Sequence, residues 1–328
     1  MLDDLIFAVN AVVPIILTVA IGYILKRIGM ISTEFAKMAN KLVFRVFLPV
    51  MLFMNVYGIS DTSSYSFGYA IYAAVAVIIL FLIGIPTVML LTKQQDRRGA
   101  LIQGVFRSNY ALIGIPLATA LFGEAGAAVA TLLSAIMVPV FNILAVIGLS
   151  IFCKGDKANF KKVILGIIKN PLIIGIVVGL FSLAIRSLFV HLDWSFRLNS
   201  VNAIWKTLEY LKALATPLAL IVLGAQFEFS AIPHLKREII AGTVIRSVIV
   251  PLLGLGIAYF AFGKSFGGAE FAALVAVFST PVAVSSVPMA QEMGADTSLA
   301  GQLVVFTTLS SAVTVFLASF VLRLLGIF

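Results

Sequence analysis

The chain has 328 residues, of which 61% are hydrophobic and only 11% charged, with a mean hydropathy of +1.13. About a quarter of a soluble domain is charged, so a water-soluble core is excluded, and with both halves apolar throughout no appended soluble domain is expected. The net charge of +9 does not point to nucleic acid, because lysine and arginine collect in the cytoplasmic loops of membrane proteins and set their orientation.

A helix that crosses the hydrocarbon needs roughly 20 apolar residues. Ten stretches reach that length: 4–25, 36–57, 67–92, 99–122, 125–152, 163–187, 204–227, 239–262, 268–291 and 297–326. The first lies behind Asp3 and Asp4 and ahead of Lys26 and Arg27. A cleaved signal peptide carries its charge in the opposite order, so a retained first span is expected. The second and seventh spans share one build. Each starts amphipathic (Lys37, Lys41, Arg45; Lys206, Glu209, Lys212) and ends on an apolar run around Pro49 or Pro217. The first and sixth each carry an early proline, Pro14 and Pro171. The fifth and tenth share Val138-Pro139-Val140-Phe141 and Val313-Thr314-Val315-Phe316. Between spans six and seven, Phe189, Trp194, Phe196 and Trp205 mix with His191 and Arg197, which fits an interfacial segment.

Loop charges set the orientation. One side holds Lys26, Arg27, Lys37, Lys41, Lys93, Arg97, Arg98, Lys154, Lys157, Lys161, Lys162, Lys236 and Arg237. The other holds about half as many, namely Arg186, Arg197, Lys206, Lys212, Lys264 and Arg323. The richer side is expected to be cytoplasmic. Both termini, and the loops near Asp61 and Phe266, then face outward.

The most informative stretch is Val105-Phe106-Arg107-Ser108-Asn109-Tyr110-Ala111-Leu112-Ile113-Gly114-Ile115-Pro116 in the fourth span. Val277 to Pro288 in the ninth span echoes it, matching at Val105/Val277, Phe106/Phe278, Ala111/Ala283 and Pro116/Pro288, with Ser108 opposite Thr280. The offset is 172 positions (288 − 116). Both stretches hold prolines and small polar residues where a membrane helix should be smooth. Broken helix is tolerated at membrane depth only where protein or a water-filled cavity covers the freed backbone. Paired interruptions in two halves point to a transporter's binding site. Five spans per half is an odd number, so the halves must be inverted: 1–153 and 154–328.

A helix break exposes N–H groups with partial positive charge, which bind anions. Asn109 adds an amide that can donate to a carboxylate, and Tyr110 stands beside it. Ser279, Thr280, Ser285 and Ser286 supply hydroxyls, with close helix packing as the alternative for Ser285 and Ser286. Arg45, Arg107 and Arg246 fall in the cytoplasmic halves of spans 2, 4 and 8. Snorkelling accounts for Arg45 and Arg246. Arg107 is read as drawing an anion inward, with a structural cation as the alternative. Asn55 and Gln226 are polar gate candidates, although interface depth also explains them. Glu124, Glu228, Glu270 and Glu292 lie near span ends, so an acidic ion-coupling pair at the breaks is not expected. The single cysteine, Cys153, and the isolated His191 and His234 offer no metal site, and no motif calls for a cofactor.

Asn109-Tyr110-Ala111-Leu112-Ile113-Gly114-Ile115-Pro116-Leu117 resembles the fourth-helix crossover of the auxin efflux carrier family. That family includes plant auxin exporters and bacterial malate and malonate permeases. Pro281 followed by Val287-Pro288, Ala290 and Glu292 resembles its ninth-helix crossover, and Leu48-Pro49 its break in span two. The resemblance implies an all-α membrane protein of ten helices in two inverted five-helix repeats, with the sodium/proton antiporter-like fold. Spans 1, 2, 6 and 7 would form a scaffold, which leaves room for a homodimer. Spans 3–5 and 8–10 would form a transport domain. Broken helices 4 and 9 would cross at midplane, held open by Pro116, Pro281 and Pro288, with Asn109 at the substrate site. The long central cytoplasmic loop of plant members is missing, and Leu52 and Met54 follow Pro49 where those members are polar. Both departures argue against an aromatic substrate.

The expected function is a carrier of a small organic anion, a carboxylate, across the cell (inner) membrane by alternating access. Its partners would be that anion and membrane lipid, not nucleic acid. An exporter of auxin-like or other aromatic acids is the alternative. A channel or sensor is the competitor from another class, but a channel would line its path with repeated polar rings. An intramembrane enzyme would need a buried nucleophile, base or metal constellation, and no histidine or acidic pair inside the spans supplies one. No Walker A sequence is present to bind a nucleotide.

Overall fold

The computed structural model describes residues 2–58, 67–152, 168–192, 194, 196–263 and 265–328. Asp61, Cys153, Lys154, Lys157, Lys161, Lys162, Lys264 and the start of the sixth apolar stretch lie outside these residues.

Among the described residues the protein is all helical. The helices are α1 (Leu2–Arg27), α2 (Thr33–Leu42), α3 (Leu48–Tyr57), α4 (Gly68–Leu91), α5 (Gln95–Phe106), α6 (Ile115–Ile151) and α7 (Pro171–His191). They continue with α8 (Asn202–Ala225), α9 (Ile232–Val244), α10 (Val250–Phe262), α11 (Gly268–Phe278), α12 (Ser286–Glu292) and α13 (Thr297–Leu324). Among the described residues seven helical segments are long and apolar enough to cross a membrane, including Gly68–Leu91, Pro171–Val190 and Thr297–Leu324. The chain is therefore a multi-pass membrane protein.

Local sequence explains the helix ends. Ser32 accepts from the Phe35 N–H (3.0 Å) ahead of α2, Asn170 from Leu172 (2.9 Å) ahead of α7, and Asp296 from Leu299 (2.9 Å) ahead of α13. Each side chain satisfies an N–H that the first helical turn leaves without a partner. Three turns of π-helix, Val43–Phe47, Tyr110–Gly114 and Ile245–Ile249, each end two residues before a proline: Pro49, Pro116 and Pro251. A proline has no N–H to donate, and its ring clashes with the carbonyl four residues back. Those carbonyls belong to Arg45, Leu112 and Ser247, all inside the widened turns. Widening the turn removes the clash without ending the helix.

One apparent span is too long. Leu112–Ile151 runs for 40 residues, about 60 Å of helix against about 30 Å of hydrocarbon. It is interrupted at Phe122 and at Gly123, which takes φ +58°, a conformation glycine adopts without strain. The chain changes direction there, at the junction expected between residues 122 and 125.

In lipid, helices associate through packing rather than the hydrophobic effect. α1 lies along α8, and α3 along α7. A Cβ at Gly224 would fall 1.9 Å from the Val19 carbonyl oxygen, and one at Gly22 would fall 2.1 Å from that of Ile221. Only glycine allows that approach. In the rest of the protein α6 packs on α11, α4 on α5, and α9 and α12 on α13, while α1 also meets α13. The core runs through these helices, with Phe106, Leu117, Leu133, Met137, Phe271 and Phe278 fully buried. Phe189 in the last turn of α7 clusters with Trp194 and Phe196 just beyond it, with ring centroids 4.5 Å apart for Phe189 and Trp194.

Candidate functional site

Two helix breaks meet inside the protein. The first separates α5 from α6. Arg107 is extended (φ −86°, ψ 120°), and helical structure resumes at Tyr110. The second separates α11 from α12 over residues 279–285. Buried backbone groups freed by a break need partners, and several find them at this junction. The Asn109 N–H donates to the Pro281 carbonyl (2.8 Å). The Val282 N–H donates to Thr307 Oγ1 (3.1 Å), whose own hydroxyl donates to the Leu303 carbonyl (2.6 Å). Ser108 and Thr280 share a hydroxyl hydrogen bond across the junction.

Arg246 completes the second break. It is 1% exposed, so it does not snorkel to a surface as its position in the sequence indicates. Its Nε donates to the Thr280 carbonyl (2.8 Å) and its Nη2 to that of Val277 (2.9 Å). The carbonyl end of α11 carries partial negative charge, and the guanidinium sits on it. Arg45, in contrast, is exposed and approaches Glu292, with Nε 3.4 Å from Oε2.

The first break builds the site. Arg107 is also 1% exposed, but its partners are neutral side chains. Nη1 donates to Gln103 Oε1 (2.7 Å) and to Met289 Sδ (2.7 Å), with Ser286 Oγ at 3.5 Å. Nη2 donates to Asn142 Oδ1 (2.8 Å) and to Ser285 Oγ (2.7 Å). Nε has no partner. Among the described residues no carboxylate lies within ion-pair reach of Arg107. A buried charge normally needs a counter-charge, and this one has only dipoles.

A cavity of about 490 Å³ opens beside Arg107. Ser108, Asn109, Tyr110, Asn142 and Ser285 line it together with Asn55 of α3 and Lys212 of α8. Leu52, Val138, Phe141 and Pro217 give it apolar walls. The side-chain amide nitrogen of Asn109 is buried without an acceptor. The Tyr110 ring lies on the cavity, but its hydroxyl donates to the Ala130 carbonyl (2.8 Å).

The other residues singled out in the sequence fall elsewhere. Thr280 and Ser286 are buried behind the cavity wall, and the buried Ser279 hydroxyl has no partner. Gln226 donates to Gln291 Oε1 (2.9 Å) and lines a second cavity of about 330 Å³ with Lys26, Lys37 and Ser298. Pro49 and Pro116 stand in the first turns of α3 and α6. Pro288 is in the first turn of α12, and Pro281 is inside the break. Sequence reasoning missed Gln103, Asn142 and Met289 as holders of Arg107. Asn142 directly follows Val138-Pro139-Val140-Phe141, and an amide in the middle of an apolar run is itself a signal. It also counted Lys212 as a loop charge, whereas the side chain faces the cavity.

The fold and site define an all-helical, multi-pass membrane protein with a chamber of about 490 Å³ at its helix breaks, lined by Arg107 and Lys212. Residues 7–319 match the family described as Membrane transport protein. The chain belongs to that family, the auxin efflux carrier family, and is a membrane transporter. It is 24% identical over 342 aligned positions to an uncharacterized transporter of Methanothermobacter thermautotrophicus, covering 95% of this chain and 98% of the relative. It is also 24% identical over 249 positions to an uncharacterized transporter of Methanocaldococcus jannaschii, covering 74% and 76%.

Proposed function

We propose that the protein carries a small organic anion, a carboxylate, across the cell membrane by alternating access, and that the chamber beside Arg107 is its binding site. One observation carries the reading: a fully buried guanidinium without a carboxylate partner lines a cavity large enough for a small acid. An anion placed there gives Arg107 a counter-charge. Asn109, whose buried Nδ2 lacks an acceptor, and Ser285 line the same chamber. Charge-assisted hydrogen bonds of this kind are the strong ones.

The reading includes the ten-helix, inverted-repeat architecture. In that count α2 with α3, α5 with the start of α6, α9 with α10, and α11 with α12 each form one span. The repeat is supported by which residues touch. Asn109 bonds to Pro281, and Ser108 to Thr280. In both pairs the partners are 172 positions apart, the offset at which the two stretches match. Residues near a pseudo-twofold axis contact their own repeat mates. The reciprocal backbone bond from residue 281 is missing because proline has no N–H. α1, α2, α3, α7 and α8 would form the scaffold, and the remaining helices the moving bundle. The chamber lies between the two groups, with Asn55 and Lys212 on its scaffold side. Arg45–Glu292 and Gln226–Gln291 close the other side. With the lysine-rich loops cytoplasmic, the termini and the mouth of the chamber face outward.

A thermal-shift screen of purified protein against lactate, pyruvate, malonate, succinate and indole acetate tests this. An anion that binds only the folded state raises the melting temperature by mass action. A rise with at least one small carboxylate, lost in Arg107→Gln, is the expected result. No rise with any of them, together with no uptake into proteoliposomes, sinks the reading. A rise confined to indole acetate moves the substrate to the aromatic acids.

A further inference from the structure

The way Arg107 is held bears on how the carrier cycles, given the carrier reading above. All five of its side-chain neighbours belong to three segments of one helix group: Gln103 on α5, Asn142 on α6, and Ser285, Ser286 and Met289 at α12. None belongs to α1, α2, α3, α7 or α8. The guanidinium therefore travels with the α4–α6 and α9–α13 bundle whenever that bundle moves against the rest. With the chamber empty, the bundle must take across the membrane a buried cation offset only by neutral dipoles. Charge in a low-dielectric interior without a counter-charge is costly. With an anion bound beside Arg107, the same movement carries a neutralised pair.

Arg246 does not alter this difference. It is absent from the chamber wall, and it is offset in both states by the carbonyls of Val277 and Thr280 at the end of α11. Lys212 belongs to α8 and does not travel with Arg107. Among the described residues no acidic group of the bundle is within ion-pair distance of Arg107, and Glu238, Asp296 and Glu292 are paired with other arginines.

We infer that the protein works as an anion exchanger: the bundle returns rapidly only with an anion bound, so one anion leaves as another enters. Arg107 is the residue that imposes this coupling. No cation is needed as a co-substrate, because the fixed guanidinium supplies the positive charge.

The test uses the full-length protein in liposomes loaded with 13C-labelled lactate, pyruvate, malonate and succinate, with efflux read by mass spectrometry. Each anion that moves should leave at least about tenfold faster when the same unlabelled anion is outside than when the outer buffer holds only impermeant gluconate. An inside-negative potassium/valinomycin potential should speed the slow net efflux several-fold, because it draws the positive, empty bundle back inward. Exchange of a monoanion should change less than about twofold. Arg107→Lys keeps the charge and should keep the ratio of exchange to net flux. Arg107→Met, measured at saturating anion, should bring the ratio to within about twofold of one. Wild-type net efflux as fast as exchange overturns the inference and leaves the carrier reading standing. So does a wild-type ratio retained in Arg107→Met. Absence of both fluxes and of any thermal shift overturns the carrier reading, and the exchanger with it.

Discussion

The two helix breaks use the same residue for opposite ends. Arg246 and Arg107 are equally buried, and neither meets a carboxylate among the described residues. Arg246 faces the second break and gives its donors to two backbone carbonyls. Those carbonyls would otherwise be orphaned, and the helix end they terminate is partly negative. The guanidinium is seated on a helix end of opposite partial charge and is absent from the chamber wall, so nothing about it asks for a ligand. Arg107 lies within the first break and rests on amide, hydroxyl and thioether groups. They take up the hydrogens of Nη1 and Nη2, leave Nε without a partner, and leave the charge. A buried arginine is thus a structural plug or a binding group depending on whether its partners carry the opposite charge, not on its depth.

The sharpest way to break this comparison is to neutralise both arginines. Arg107→Gln should abolish high-affinity anion binding. Removing one partner of a buried charge pair costs about 2–5 kcal/mol, which is roughly a 30- to 4,000-fold loss of affinity. The substrate-free melting temperature should change little, because removal of a buried charge without a counter-charge offsets the acceptors of Gln103 and Asn142 that lose their donor. Isothermal titration and a melt on the same preparation check both halves. A variant that binds normally places the anion elsewhere.

Arg246→Met should do the reverse. It leaves the Val277 and Thr280 carbonyls without donors, at about 1–3 kcal/mol each, partly offset by the charge no longer buried. The expected outcome is a net loss of about 1–4 kcal/mol, seen as a lower melting temperature without ligand. In the fraction that remains folded, anion affinity should stay within about threefold of wild type. If Arg246→Met loses binding at unchanged stability, the two arginines share one job and the comparison fails.

Asn109→Ala probes the neutral half of the site. Asn109 lines the chamber, and its Nδ2 is buried without an acceptor. A hydrogen bond to a charged group is worth about 1.5–3 kcal/mol, so affinity should fall roughly 10- to 150-fold. The melting temperature should hold, because the break is tied by the Asn109 main chain rather than its side chain. Loss of folding with no change in affinity would make Asn109 a packing residue.

What was legible in the sequence follows the same division. Apolar runs, prolines and the paired stretches are local or periodic signals, and they pointed to an all-helical, multi-pass chain and to the two stretches in which Asn109 touches Pro281 and Ser108 touches Thr280. Asn109, Ser285 and Asn55 lie on the chamber because small polar groups inside apolar segments are few and each needs a reason. The fate of an arginine was not legible. Arg246 and Arg107 look alike in sequence, each basic and within an apolar segment. Only the tertiary fold puts carbonyls of α11 against one and a cavity against the other. Lys212 was misplaced for a related reason: it belongs to the amphipathic start of a helix, and the side that faces a chamber is not distinguishable there from the side that faces a loop. Gln226 shows the converse. It is polar at a helix end, but its partner Gln291 is set 65 positions away, beyond any local pattern.

The smallest expected effect concerns the seam between the breaks. Ser108 and Thr280 are the one pair of small hydroxyl residues that match in both stretches and also touch. Each has a second outlet, since both hydroxyls reach the Ala276 carbonyl, at 3.3 and 2.8 Å. Removing one hydroxyl therefore leaves the other satisfied, and Ser108→Ala or Thr280→Val should each cost only about 1 kcal/mol. The double variant should cost little more than either single one, because the shared bond is lost only once, so the interaction term is about 0.5–1 kcal/mol. Anion affinity should change less than about twofold in all three, since Thr280 is absent from the chamber and the Ser108 hydroxyl is turned toward the seam. Urea melts of the four proteins, with one anion titration each, decide the matter. Strictly additive losses would mean that the two breaks are merely neighbours. A coupled loss of affinity would mean that the seam transmits to Arg107, and that the structural and binding roles of the two breaks are less separate than their arginines indicate.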